Sequence, residues 1–179
     1  METLLAHVVT FVSENARWAP YLAFVFAFGE TLAFLSILIP STAILIGVGG
    51  LIATGSLQMF PIWLGASLGA LVGSTVSWWL GWRFGPLLLN LWPLNKDPDA
   101  VDRSRAAFAR WGAGAVFVGH FFGPLRSVVF VAAGISLMRL LRFQLANVPG
   151  ALIWAYAIPK SGEIGGNVIG HLWTSLFGA

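Results

Sequence analysis

The chain has 179 residues, of which 58% are hydrophobic and 9% are charged, and its mean hydropathy is +0.82. An ordinary soluble domain carries roughly 25% charged residues, so this supply is too small for a water-soluble surface. The formal charge of +3 comes from Lys and Arg residues that lie mostly between apolar runs, as in membrane proteins rather than nucleic-acid-binding ones. We therefore expect an all-α polytopic membrane protein that forms a single domain over residues 1–179, with helical segments of about 20 residues.

Several kinds of chemistry have no residues to support them. Cysteine is absent and the three histidines are far apart, which leaves no disulfide framework and no zinc-site spacing. No P-loop, nucleophile elbow or paired-carboxylate arrangement occurs either. We expect a protein that is not an enzyme and that carries no cofactor and no metal.

The first half begins with residues 1–17, which lack a signal-peptide pattern and are predicted to form an interfacial helix. Residues 18–55 are almost wholly apolar, but a proline interrupts them at Pro40-Ser41-Thr42. Two limbs of at most about 17 to 20 residues result, so a re-entrant hairpin competes with one long bent span. Glu30 lies near the middle of the first limb.

A cleaner transmembrane helix is predicted over residues 57–82. Gly65, Gly69 and Gly73 recur there at four-residue spacing, which is typical of a helix-packing face. Residues 83–110 are rich in Arg, Asp and Pro and are predicted to be a cytoplasmic loop that contains a surface helix.

The second half is predicted to repeat the same plan. Residues 111–138 are apolar but broken between His120 and Arg126, and Arg139 and Arg142 follow directly. The positive-inside rule favours a second re-entrant hairpin there, because both Arg-bearing loops then lie on the cytoplasmic side. A transmembrane helix over 143–159 and a C-terminal helix over 160–179 complete the chain.

This order of segments predicts two inverted repeats, each with a surface helix, a re-entrant helical hairpin and a transmembrane helix. Inverted repeats with broken helices are a recurrent plan of secondary transporters, in which the breaks point to the binding site. The expected cavity lining is therefore Pro40, Ser41, Thr42, Gly123 and Pro124.

Glu30 and Arg126 are the ionisable residues deepest within apolar segments. An isolated charge in the bilayer costs at least about 2.5 to 3.5 kcal/mol on insertion scales, so each needs a partner, water or neutralisation. One interpretation is a polar cavity between the two hairpins, and the other is a structural ion pair that fixes hairpin docking. His120 is the side chain here whose ordinary pKa allows a charge change near neutral pH, although a lone His is often only a packing residue.

A phosphate head group is the natural ligand of such a cavity. Arginine presents planar donors that suit phosphate oxygens, and the broken helix ends add backbone donors. We predict that Arg126 and His120 bind the head group, and that Glu30 and His120 serve proton coupling or as charge partners.

Several motifs together resemble the DedA family, also called the VTT or SNARE-associated Golgi domain, from about residue 20 to residue 160. They are Phe28-Gly29-Glu30, the Pro40-Ser41-Thr42 break, Trp82-Arg83-Phe84-Gly85, the segment from His120 to Arg126, Ala133-Gly134 and Met138, with Phe143, Asn147, Gly150 and Trp154 downstream.

The resemblance implies two oppositely inserted re-entrant hairpins and the carriage of lipids such as undecaprenyl phosphate or phospholipids across the bacterial inner membrane. It also implies that Glu30 and Arg126 are the hairpin glutamate and arginine of the family. Three positions depart from the pattern, because Thr42 and Ser74 stand where the family commonly has acids and His120 stands where it commonly has arginine. Proton coupling and the usual substrate are therefore not carried over.

Alternatives remain open at this point. The same residues suit a proton-coupled small-anion transporter, and a third reading is a structural or assembly factor. We expect a multi-pass protein of the bacterial inner membrane with a lipid as its partner and no nucleic acid. Glycine-rich faces permit a homodimer without demanding one.

Overall fold

A computed structural model describes residues 15–32, 41–89, 106, 108, 110–123 and 126–177. These residues form a short 3-10 helix, Ala16–Trp18, followed by α-helices and turns. The α-helices are α1 (Ala19–Thr31), α2 (Ser41–Ala53), α3 (Met59–Leu89), α4 (Ala113–Gly119), α5 (Arg126–Ile135) and α6 (Leu140–Phe177). The predicted interfacial helix over 1–17 and most of the predicted loop over 83–110 lie outside the described residues.

The helix α3 is the one described helix that is long and apolar enough to cross a membrane, over Met59–Gly85. It lies where a span over 57–82 was predicted, but it continues to Leu89, so the predicted loop begins too early. The packing of α3 against α5 explains the extension, because Gly81 approaches the backbone of Val131 and Gly85 lies against Ile135.

The glycine face predicted on α3 packs against α1. A Cβ atom placed on Gly65, Gly69 or Gly73 would collide with the backbone carbonyl of Pro20, Phe24 or Phe28, respectively. Since only glycine allows the two backbones to come this close, the face is a packing face, and that prediction is confirmed.

The helix α2 packs on α6, far along the chain. Gly49 of α2 lies against the Pro159 carbonyl, and Gly162 of α6 lies against the Ile46 carbonyl. We call α2 and α5 the second limbs, because each follows one of the two breaks. At this crossing, a glycine of each helix lies against a backbone carbonyl of the other helix. We call such a contact a reciprocal glycine crossing.

The helix α5 makes the matching crossing with α3. Gly134 lies against the Trp78 carbonyl, and Gly81 lies against the Val131 carbonyl. The registers of the long helices also match, because Gly81 and Gly162 each lie 22 positions after the first residue of their helix. Both α2 and α5 therefore pack through reciprocal glycine contacts on a long helix that is distant in the chain.

Two predicted boundaries were wrong. The segments predicted over 143–159 and 160–179 form one helix of 38 residues, α6, which contains Pro149 and Pro159. The helix runs through both prolines, and α2 packs against it where Gly49 lies against the Pro159 carbonyl.

The first helix of the predicted hairpin, α1, ends at Thr31, and residues 33–40 lie outside the described residues. The Ser77 hydroxyl of α3 donates to the Thr31 carbonyl at 2.7 Å, and Leu32 is already extended. Glu30 consequently lies at the C-terminal end of its helix and not near the middle of a limb.

Candidate functional site

Glu30 and Arg126 form the charged centre of the molecule. Arg126 Nη2 lies 2.8 Å from Glu30 Oε2, and the two side chains are 0% and 4% exposed. The N–H group is not aligned on that oxygen, so the contact is a close ion pair without a well-formed hydrogen bond. The structure thus joins the two deepest charges of the sequence.

Four helix ends surround this pair. Glu30 lies at the C-terminus of α1 and Arg126 at the N-terminus of α5, so each charge has the same sign as the dipole end that carries it. Thr42, in the first turn of α2, donates its hydroxyl to Glu30 Oε1 at 2.9 Å. His120 caps the C-terminus of α4. These helix ends therefore converge on one region.

Arg126 has N–H donors that make no hydrogen bond with the described residues. Its guanidinium carbon lies 3.9 Å from the centre of the Trp154 ring, a cation–π contact that holds the group against α6. Its Nε and Nη1 atoms are buried and have no hydrogen-bond partner among the described residues. Because an arginine carries five N–H donors, the group retains capacity to bind an anion.

His120 begins a chain of hydrogen bonds that runs to α3. Its Nε2 lies 2.9 Å from Asn147 Oδ1, and the Asn147 amide donates to Gln144 Oε1 at 2.9 Å. The Gln144 amide donates to the Thr75 hydroxyl at 2.8 Å, which donates to the Leu71 carbonyl at 2.6 Å. His120 and Asn147 are fully buried.

His120 and Arg126 lie along the same side of α6. The imidazole contacts Phe130 at 4.8 Å between ring centres, and its edge lies where a Cβ on Gly150 would be. Asn147 and Trp154 are seven residues apart, which is two helical turns or about 10 Å. The wall formed by α6 therefore faces both predicted ligand-binding side chains.

The structure describes only some of the residues that were predicted to line the cavity. Thr42 contacts Glu30, and Gly123 lies in the turn after α4 with a φ of +53°, a conformation that favours glycine. Ser41 begins α2, but its side chain is outside the description, as are Pro40 and Pro124.

Sequence reasoning gave no role to Gln144 or Thr75, and it noted Asn147 and Trp154 only through the family resemblance. A usable signal existed, because Gln144, Asn147 and Trp154 are spaced three and seven residues apart and so share one helix face. Within the described residues, no group of three His, Cys, Asp or Glu side chains is placed to hold a metal ion.

An apolar helical bundle with an ion pair buried at converging helix ends defines the class: a membrane protein with a charged internal site. The family model of the VTT domain matches residues 39–163. The chain belongs to this family, the DedA family.

Three relatives that the chain resembles are bacterial membrane proteins. The inner membrane protein YabI of Escherichia coli is 32% identical over 154 residues, covering 86% of this chain and 59% of the relative. Uncharacterized membrane proteins of Synechocystis and Mycobacterium tuberculosis are 35% and 36% identical, over 72% and 68% of this chain and 60% and 58% of the relatives. The chain thus spans about three fifths of the length of these relatives. No solved structure matches it.

Proposed function

We propose that this protein is a multi-pass lipid transporter of the bacterial inner membrane. It moves a phosphate-headed lipid, such as undecaprenyl phosphate or a phospholipid, across the bilayer, and a proton on Glu30 accompanies the movement. The head group enters the site of Glu30 and Arg126, while the lipid tail stays in the bilayer.

One observation carries this proposal: Arg126 is fully buried with donors that find no partner in the described part of the chain. A purely structural ion pair is most stable when its hydrogen-bonding capacity is satisfied, and a poorly satisfied one is often replaceable by apolar residues. The spare donors and the N-terminus of α5 both favour a negatively charged ligand at this point.

The pairing with Glu30 supplies a means of release and capture. While Glu30 is charged, it neutralises Arg126 and competes with an anionic head group. Protonation of Glu30 removes this competitor and leaves the guanidinium charge to the phosphate. Glu30 lies at the C-terminus of α1, which is the negative end of the helix dipole. This position favours the neutral, protonated form of the Glu30 carboxyl group.

The exchange of second limbs supports an inverted-repeat architecture with two re-entrant hairpins. Each half places its first limb on its own long helix and its second limb on the long helix of the other half. The long helices α3 and α6 use the same register position at the two reciprocal glycine crossings. Such a pair of matched halves is common in secondary transporters that work by alternating access.

The site is closed in this structure, since Arg126 and Glu30 are 0% and 4% exposed. Transport therefore requires that the hairpin ends separate toward one side of the membrane. The chain contains no cysteine, so single cysteines introduced at Thr42 report this opening without background labelling.

The second candidate function is structural, because the direct 2.8 Å contact of Glu30 with Arg126 also suits a pair that only docks the hairpins. The two readings differ in what happens when both charges are removed together. A structural pair tolerates the change, whereas a transport site loses its activity and keeps its fold.

The experiment is reconstitution into liposomes with labelled phospholipid or prenyl phosphate in one leaflet, with and without a pH gradient. The test variant is Glu30→Gln combined with Arg126→Met. The control is Glu163→Gln combined with Lys160→Met, which removes an ion pair of 2.9 Å whose lysine is 37% exposed.

We expect transbilayer movement by the native protein and the control, and none by the folded test variant. Full activity of the test variant would establish the structural reading. If the folded native protein moved no lipid, the lipid proposal would be wrong, and uptake of small anions would be measured next.

A further inference from the structure

A second polar cavity lies at the far end of α5 from Arg126. It has a volume of about 310 Å³ and lies between the start of α4, the turn that joins α5 to α6, and the first turn of α6. Ser136, Arg139 and Arg142 line it, and none of the described residues in its lining is acidic. We call it the arginine cavity. Arg126 and Ile135 are nine residues apart on α5, which is about 14 Å, so the arginine cavity is separate from the charged centre.

The polar groups of the arginine cavity have unused hydrogen-bonding capacity. Arg139 and Arg142 are exposed, and neither side chain has an ion pair or hydrogen bond among the described residues. The Ser136 hydroxyl oxygen is buried and has no partner there either, although a buried polar atom ordinarily finds one. The Phe143 N–H donates to the Arg139 carbonyl at 3.0 Å, so both arginines lie in the first turn of α6, at the positive end of its dipole. Together these groups favour an oxyanion.

The first half has a cavity at the equivalent place, with a volume of about 300 Å³, between the start of α1 and the turn before α3. Arg139 and Gln58 correspond, since each comes one residue before a long helix. Arg142 and Pro61 also correspond, two residues after the first residue of that helix. Arg17 is the one arginine among the described residues that line the first cavity. Both halves thus have the cavity, and in the described part of the chain the paired arginines belong to the second.

Leu137 borders the arginine cavity in a backbone conformation that favours glycine. Its φ is +56°, and it is the one described residue other than glycine with a positive φ. Its N–H donates to the Gly134 carbonyl and the Met138 N–H donates to the Ala133 carbonyl, in the turn that usually places glycine here. The same turn of the first half has Gly55, with a φ of +77°. The leucine is 68% exposed, so core packing does not offset its backbone strain, which indicates an apolar contact outside the protein.

We propose that Arg139, Arg142 and Ser136 form a second anion site, which binds a phosphate group at the cytoplasmic membrane surface, and that Leu137 directs this site to the phosphate of a lipid. The positive-inside rule places the adjacent arginines on the cytoplasmic side, where basic cavities between helices bind acidic head groups. The phosphate lies between the two guanidinium groups, and the hydrocarbon chain lies along the leucine. This lipid stays bound at the surface and is not cargo, so the inference goes beyond the proposed function and does not depend on it.

The test measures the binding of phosphatidylglycerol to the purified protein in a neutral detergent, by native mass spectrometry across a lipid titration. The test variant is Arg139→Gln combined with Arg142→Gln. The control is Arg17→Gln combined with Arg83→Gln, which removes the same charge from two exposed arginines outside the arginine cavity.

We expect the test variant to bind phosphatidylglycerol about thirtyfold more weakly, which is the combined effect of two arginines on an acidic head group. The control should bind within about twofold of the native protein. Ser136→Ala should weaken binding about tenfold, through the loss of one hydrogen bond to a charged group. Equal losses in test and control variants would mean attraction by overall charge and would overturn the proposal. If the test variant did not fold, unchanged binding by Ser136→Ala would overturn it instead.

The role of Leu137 is tested with Leu137→Gly. We expect about threefold weaker lipid binding from the lost apolar contact, together with unchanged or higher thermal stability, because glycine relieves the positive φ. Inorganic phosphate, at an ionic strength matched with chloride, should compete with the lipid weakly and with the same inhibition constant in both proteins. Tighter binding of inorganic phosphate than of lipid would identify free phosphate as the ligand and overturn the role of the leucine.

Repeating the titration with the combined Glu30→Gln and Arg126→Met variant separates the two sites. We expect this variant to keep its binding of phosphatidylglycerol, because the arginine cavity is intact. Loss of binding there would place the lipid at the charged centre and overturn the second site. Absence of lipid movement in liposomes would refute the proposed function and leave the result of this titration unaffected.

Discussion

The first limbs of the two halves pack on their own long helices in different ways. The contact of α1 with α3 is made of backbone, with Gly69 against the Phe24 carbonyl, whereas the contact of α4 with α6 places the His120 ring on Gly150. Gly69 and Gly150 are equivalent, since each lies ten positions after the start of its helix.

The neighbouring positions differ in the same sense. Counted from the helix starts, Asn147 of α6 corresponds to Ala66 of α3, and both are buried. The contact of α4 with α6 thus includes buried polar side chains at helix positions where the contact of α1 with α3 has alanine and closely approaching backbone.

The largest effect is expected from breaking the charged pair on one side. Arg126→Ala leaves Glu30 buried without its partner and should lower the free energy of unfolding by about 3 to 5 kcal/mol. Unfolding in detergent, followed by tryptophan fluorescence, measures the loss. The combined Glu30→Gln and Arg126→Met variant should recover most of it, and failure to recover would mean that the guanidinium packing on Trp154 dominates.

The next largest loss of stability is expected at the close backbone contact of α1 with α3. Gly69→Ala forces a methyl group into the backbone of α1 and should cost about 1 to 3 kcal/mol. Gly50→Ala is the matched control, because nothing lies within 4 Å of the added carbon. Its higher helix propensity should stabilise by up to about 1 kcal/mol, and thermal unfolding of both variants checks the contrast. Equal stability of the two would contradict the close backbone contact.

The smallest stability effect should come from the equivalent glycine of the polar interface. The methyl group of Gly150→Ala meets the edge of the His120 ring, which moves by side-chain rotation, so we expect a cost below that of Gly69→Ala. The hydrogen bond of His120 with Asn147 should weaken instead, and the histidine nitrogen-15 spectrum reports it. A large loss of stability with an unchanged spectrum would contradict this division of roles.

Hydropathy and glycine spacing were enough to predict the long helix near residues 57–82, the packing role of Gly65, Gly69 and Gly73, and the two deep charges. These features depend on composition within one segment. The end of α1 was not predictable in this way, because Thr31 is capped by Ser77, which is 46 residues away in the chain.

The continuity of α6 and the polar network escaped prediction for a related reason. A boundary was predicted between residues 159 and 160, but one helix runs through it and α2 packs on that stretch. The bond of Gln144 with Thr75 joins α6 to α3 and depends on the rotation of each helix about its own axis. Hydropathy of either segment alone contains no information about that rotation.

The exchange of second limbs has a consequence for biosynthesis. Gly162, which receives α2, is synthesised 113 positions after Gly49, a delay of roughly 6 to 23 s at bacterial and eukaryotic translation rates. Until then α2 lacks the helix on which it packs in the folded chain. The packing of α2 is therefore completed only after α6 has been synthesised.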